Sequence, residues 1–230
     1  MMKKAAFVAL ISVAVTLPTL AQNKMDNRLG DSAEVLRQIL AKPDEIPQSL
    51  LNRAVCVLVF PAVKKVAVGI GGSYGRGVII CRGGVDMKGP WSAPAMYKLD
   101  TGSLGVQLGT STTDYVLLVE TKTGAEKILS GKLKLGADAT AVAGPTGAKA
   151  VGANDTNVDV LTYSRAKSGL FAGASLASAG LSSDDDANQQ VYGKAISATE
   201  IVREGAVKPT PAGMPLVHVL TQRSPKWSNG

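Results

Sequence analysis

The run Val55-Cys56-Val57-Leu58-Val59-Phe60 sets six apolar residues in succession, with valine at alternate positions, and stops at Pro61. No polar residue breaks it, so neither face of a strand built from it is suited to water. The run predicts a strand buried on both faces. Further strands are predicted over Val66 to Ile70, Gly77 to Cys81, Leu104 to Thr110, Tyr115 to Val119, Val158 to Tyr163 and Leu216 to Leu220. In one of these, Leu104, Val106 and Leu108 alternate with Gly105, Gln107 and Gly109, which leaves one nearly bare face against which another backbone can pack closely.

Elsewhere the apolar period lengthens. Leu29, Ala33, Leu36 and Leu40 fall on one face of a helix over Asp26 to Leu40, which Pro43 stops. Pro47 suits the first turn of a second short helix through Leu50, Leu51 and Ala54. Gly124 to Ser130, Asp186 to Tyr192 and Ser197 to Arg203 read as short helices. The fold class expected is α+β: a mainly antiparallel, glycine-rich β-sheet or partial barrel with an N-terminal amphipathic helix and short peripheral helices.

The N-terminal end has the order of a secretory signal peptide: Lys3 and Lys4, an uncharged run from Ala5 to Leu17, Pro18, and the small-residue stretch ending at Ala21. That run is about 13 residues, short of the roughly 20 that cross a bilayer as a helix. The expected organisation is a cleaved signal over residues 1–21, one domain over 22–205, and a Pro-rich segment over 206–230 with one strand and a loose tail. The place expected for the mature chain is periplasmic or secreted. In that oxidising setting Cys56 and Cys81 would pair, closing a loop of about 26 residues for a gain of about 3.5 kcal/mol. The alternative is two buried free thiols.

Chemistry finds little to work with. Gly69-Ile70-Gly71-Gly72-Ser73-Tyr74-Gly75-Arg76-Gly77 lacks the spacing of a dinucleotide loop and the lysine of a P-loop, and reads better as strand, turn and strand with glycine for close packing. Asp184-Asp185-Asp186-Ala187-Asn188 resembles a calcium loop only in its first residues, since Gln189 and Ala195 stand where glycine and glutamate are needed. It reads as a solvated turn capping the next helix. The lone His218 has no assembled triad or metal set around it. The expectation is a protein that is not an enzyme, uses no cofactor or metal, and does not bind nucleic acid, because its basic residues are not interleaved with aromatics.

Several separated motifs nevertheless agree in order. Val59-Phe60-Pro61, Gly71 to Gly77, Trp91-Ser92-Ala93-Pro94 and Gly102 to Gly109 are followed by Leu135-Gly136-Ala137-Asp138, Ala143-Gly144-Pro145, Tyr163 to Gly173 and Tyr192-Gly193. Over roughly residues 30 to 205 this resembles the SYLF-domain lipid-binding family. The resemblance implies a phospholipid-binding domain, with phosphoinositides as ligands of eukaryotic relatives and an N-terminal amphipathic helix and basic residues at the membrane. Basic residues that fit such a contact are Arg28 and Arg37 beside the helix stripe, Lys64 and Lys65 after Pro61, and Arg76 and Arg82. Asp31 and Glu34 occupy the polar face of that helix, so docking on the sheet is an equal alternative to docking on membrane.

Without Lys3 and Lys4 the 25 basic residues become 23 against 18 acids, a net charge of +5. Spread over a domain, this supports weak attraction to an anionic phospholipid surface, since each Lys or Arg contributes about 1 kcal/mol only when close to it. The leading expectation is an exported lipid-binding module, and the alternative is a structural or protein-interaction component of the envelope.

Overall fold

The computed structural model of the protein describes residues 19–41, 46–131, 133–135, 141–143, 159–168, 176 and 179–228. The chain runs α1 (Thr19–Leu40), α2 (Gln48–Arg53), β1 (Cys56–Cys81), β2 (Ala95–Val119), α3 (Lys122–Leu129), β3 (Leu133–Lys134), β4 (Ala141–Ala143), β5 (Val160–Ser168), β6 (Ala179–Ser183), α4 (Asp185–Tyr192), α5 (Ala198–Val202) and α6 (Met214–Arg223). The signal-like segment up to residue 18 lies outside the described residues, as do Gly144 and Pro145 and the side chains of 101–111.

β1 and β2 form one antiparallel ribbon, from Cys56 opposite Val119 to Ile79 opposite Ala95. A straight strand of 26 residues would reach roughly 85 Å. Instead the Cα atoms of Cys56 and Cys81 are 4.0 Å apart and their sulfurs are bonded. β1 therefore returns on itself, and the expected disulfide joins its two ends. The register shifts between Phe60 and Val63 and again between Ile70 and Gly71, and such bulges bend a strand. At the first bulge Pro61 has no N–H to donate and Ala62 takes a φ of 49°. The buried Asp114 steadies it by accepting the Ala62 N–H at 2.8 Å, with Arg165 2.9 Å from its other oxygen.

Where the two arms of β1 meet, side chains have to be missing. A Cβ on Gly77 would stand 2.1 Å from the Val59 carbonyl oxygen, and one on Gly75 would stand 2.6 Å from Val63 Cγ2. The glycine-rich segment thus provides close backbone packing, as expected, within a continuous strand in place of a strand, turn and strand. The predicted strands Val66 to Ile70 and Gly77 to Cys81 merge in β1, and Leu104 to Thr110 and Tyr115 to Val119 merge in β2.

The six-stranded sheet has the order β3-β6-β2-β5-β4, with β1 paired to β2. β5 pairs with residues 112–119 of β2 and β6 with residues 97–101. Among the described strands only β4 and β5 pair in parallel. Alternation then sorts the core into two layers. Cys56, Leu58, Phe60, Val63, Tyr97 and Leu117 face α3 and α5. Val57, Val59, Val78, Ile80, Met96 and Val116 face α1, α2, α4 and α6. Cover on both faces is why the 55–60 run carries no polar residue.

One expectation fails at the C-terminal end. Leu216 to Leu220 is not a strand but the middle of α6, with Pro215 in its first turn and Leu216, Val219 and Leu220 buried. Proline's fixed φ suits that position, and packing on the α1 layer selects the helical spacing over the apparent alternation. The tail expected to be loose is held as far as residue 228: the Trp227 indole donates to the Arg53 carbonyl at 2.9 Å, and the Ser228 N–H donates to the Asn52 carbonyl at 3.2 Å.

The self-crossing gives a paired prediction. Gly77→Ala should lower unfolding stability by about 3 kcal/mol through overpacking against backbone, whereas Gly30→Ala, in α1 with nothing near its Cβ position, should raise it by about 0.5–1 kcal/mol. Chemical denaturation of both variants checks this; a harmless Gly77→Ala would contradict the crossing.

Candidate functional site

α1 lies with its apolar stripe on the sheet: Met25, Leu29, Leu36, Ile39 and Leu40 are all buried there. Moving α1 to a lipid surface would uncover the apolar sheet face beneath it, at about 1.5–3 kcal/mol for each side chain left in water. Of the two outcomes open for this helix, the sheet holds it. Among the described residues no helix is long and apolar enough to cross a membrane.

Docking sends the two helix arginines in opposite directions. Arg28 is 8% exposed and donates to Asp184 at 2.9 Å. Arg37 is on the outside, paired with Glu34 one turn back, and an exposed i,i+3 pair contributes only a few tenths of a kcal/mol. Arg28 therefore anchors α1 and offers no guanidinium to a surface ligand.

Asp184 is the centre of this arrangement. It precedes α4 and is 3% exposed, so the solvated turn expected here is a buried carboxylate. The Nη1 atoms of Arg28 and Arg76 converge on the same oxygen, Oδ2, at 2.9 and 2.5 Å. Burial pushes the Asp184 carboxyl upward, but the hydrogen bonds and charges of the two arginines outweigh it and hold its pKa below the ordinary value. For Arg76, burial acts downward, and the hydrogen bond and charge of Asp184 carry it above the usual guanidinium value.

Arg76 differs from Arg28 in reaching the surface, its side chain being 40% exposed. The exposed Tyr74 ring has its centroid 5.2 Å from the guanidinium carbon, within cation–π range. Directly opposite on β2, Lys98 pairs with Arg76 and Asp100 with Tyr74. Lys64 joins the same side of the sheet, because Val63 points into the α3 layer and the next residue points the other way. The contact of Gly75 with Val63 brings the Lys64 and Arg76 portions of β1 together. Lys65 follows Lys64 in the strand, its side chain outside the described set.

Arg82 is fully buried. Its Nε donates to the Ala54 carbonyl at 3.2 Å, and Nη2 donates to the Ser224 carbonyl and hydroxyl at 3.0 and 2.6 Å. Trp91 stacks on it at 4.2 Å and donates to the same Ser224 carbonyl. Ala54 and Ser224 are the C-caps of α2 and α6, where a cation is favourable. Desolvation lowers its pKa to about 10. As a lipid contact Arg82 is thereby corrected: it clamps two helix ends beneath the surface. Of the six basic residues expected at the site, Lys64 is exposed and Arg76 partly exposed, on portions of β1 that approach each other at Val63 and Gly75; Arg28 supports Arg76 from inside through Asp184, and Arg37 lies apart with Glu34.

With the fold and this cluster in view, comparison with known proteins is informative. The Ysc84 family, described as "Las17-binding protein actin regulator", matches residues 100–223. The chain is 33% identical over 192 residues to the SH3 domain-containing protein PJ696.02 of Schizosaccharomyces pombe, covering 81% of this chain and 43% of that protein. It is 28% identical over 191 residues to the SH3 domain-containing YSC84-like protein 1 of Homo sapiens, covering 81% and 54%. The chain belongs to the Ysc84/SYLF family. It spans about half the length of these relatives. No solved structure matches it.

The ion cluster generates a pH-dependent prediction. Because the folded pKa of Asp184 is depressed, its contribution is present above the unfolded carboxylate pKa and is lost as pH falls through the folded value. Asp184→Asn should therefore cost about 3 kcal/mol at pH 7, the scale for breaking a buried pair, with the deficit narrowing below about pH 4. Unfolding titrations of both proteins at neutral and acidic pH check it; a deficit independent of pH would contradict the charge assignment.

Proposed function

We propose that this chain is an exported, non-enzymatic member of its family that attaches reversibly to anionic phospholipid through basic side chains on β1. The observation carrying this reading is the partly exposed Arg76 beside the exposed Tyr74 ring, with exposed Lys64 on the portion of β1 that approaches Gly75. Basic heads beside an amphipathic aromatic ring suit the polar boundary of a bilayer. α1, already docked, contributes by holding Arg28 against Asp184 and not by insertion.

Export is supported by the signal-like N-terminal segment and by the buried Cys56–Cys81 disulfide, a bond that persists in oxidising compartments. Periplasmic or secreted placement follows from that reading. The family is described as an actin regulator, a role that an exported chain would not share.

A second reading, an envelope protein-interaction module, has its own observation. A 610 Å³ groove lies among Gly84, Val85, Leu129, Thr199 and Arg203, and Val85 at its rim is 80% exposed. Single exposed apolar residues are ordinary on protein surfaces, so the basic group on β1 carries the first choice.

Sedimentation of residues 22–230 with vesicles separates the two. Binding to anionic and not neutral vesicles, weakened by salt through screening, is the expected result. Lys64→Glu/Lys65→Glu and Arg76→Glu should each weaken it by about tenfold, and Arg37→Glu should leave it within about twofold. No binding to any vesicle would move the reading to the groove and a protein partner.

A further inference from the structure

We propose that the surface beside α3 and α5 binds a second copy of this chain, with Val85 of each copy seated in the groove of the other. This goes beyond the lipid reading and does not rest on it, because Arg76 meets Asp184 and Arg28 on the α1 side of the sheet. The surface is built on a turn. The Gly83 N–H donates to the Pro90 carbonyl at 2.8 Å, the Gly83 carbonyl accepts the Gly89 N–H at 2.9 Å, and the Gly84 carbonyl accepts the Met87 N–H at 3.1 Å. Gly84 takes a φ of 85°, and Met87 is fully buried in the α3 layer. The turn is thereby fixed at its base. Val85 stands out from it, 80% exposed, the highest value among the large apolar side chains described. A β-branched side chain on a fixed turn has little freedom to lose on docking.

An exposed valine by itself is ordinary. This one stands at the rim of the 610 Å³ groove, whose lining includes the half-buried Leu129. A projection and a recess side by side on one patch complement each other when two copies meet about a two-fold axis, since every contact is then made twice. Two-fold dimers are also the commonest closed assembly of soluble chains.

The charges around the groove select the occupant. Asp86, Glu126 and Glu204 stand there beside Lys122 and Arg203. Lys122 is 3.9 Å from Asp86 and Arg203 is 3.7 Å from Glu126, both beyond hydrogen-bond length. The side chains of Asp86 and Glu126 are 74% and 52% exposed, so these loose pairs can exchange partners across an axis. A partner of one sign would meet like charge along part of the rim. A second copy presents both signs, and its acids can face these bases while its bases face these acids. An apolar centre within a polar rim is also the usual order of a protein interface.

Sedimentation velocity of residues 22–230 over about 10 μM to 1 mM, the range in which small interfaces associate, should show monomer giving way to dimer as concentration rises. Val85→Asp should weaken the association by about tenfold. Met214→Ser, at an exposed apolar side chain on α6, should leave it unchanged. Reversing the rim gives a second arm. Glu126→Lys/Glu204→Lys and Lys122→Glu/Arg203→Glu should each associate more weakly than the unaltered chain, and an equimolar mixture of the two should form a mixed dimer about tenfold tighter than either alone. If Arg203→Glu disturbs the native circular dichroism, Lys122→Glu alone, at a side chain 43% exposed, takes its place in the mixture. A chain that stays monomeric throughout, a dimer indifferent to Val85→Asp, or a mixture no tighter than its components overturns the proposal. Vesicle binding is read separately and uses the other side of the sheet, so either reading can fail while the other stands.

Discussion

Everything in this fold depends on β1 crossing itself. Val59 and Phe60 in its outgoing arm occupy the space that a Cβ at Gly77 would need, so the approach is available to glycine and to no other residue without displacement of backbone. Once the arms are together, Cys56 and Cys81 are close enough to bond, and β2 follows the same path because it is paired along the ribbon. β5 and β6 then occupy the two ends of one edge of β2. A straight ribbon would place Lys64 and Arg76 far apart. Folded back, it places them on one side of one sheet.

Polar groups in the interior stabilise the places where this backbone departs from regularity. Asp114 satisfies the N–H at the Pro61-Ala62 bulge, Arg82 fills the space between two helix ends, and Asp184 joins α1, β1 and α4. A buried ion pair adds little net stability compared with apolar packing of the same volume, but leaving one partner alone is costly. These residues therefore specify one arrangement more than they strengthen it. The Asp184 group has an additional consequence: the residue that completes its charge is also the residue facing solvent.

Local patterns in the sequence carried the secondary structure well. The spacing of Leu29, Ala33, Leu36 and Leu40 predicts the buried stripe of α1, the 55–60 run predicts a strand covered on both faces, and the disulfide pairing of Cys56 and Cys81 matches the structure. Leu216-Val217-His218-Val219-Leu220 misleads because its alternation fits a strand, while Pro215 and contacts with the α1 layer settle it as helix. The site is less legible for a physical reason. Whether an arginine faces a ligand depends on partners remote in sequence: Arg28 meets Asp184 across 156 positions, and Arg82 meets Ser224 across 142. Three successive aspartates read as solvated, and nothing local reveals that the first is the buried one. Tyr74 was within reach of sequence reasoning, since an aromatic inside a glycine-rich strand two residues before an arginine is placed on the same face.

The central claim is that the two arms of β1 touch at the glycines, and nuclear Overhauser contacts test it most directly. In the folded protein, the Gly77 α-protons should show cross-peaks to the Phe60 ring, and the Gly75 α-protons to the Val63 methyls. Strong cross-peaks at both pairs are the predicted result. Their absence, with only sequential and β2 contacts along an extended strand, would contradict the crossing and with it the approach of the Lys64 and Arg76 portions of β1.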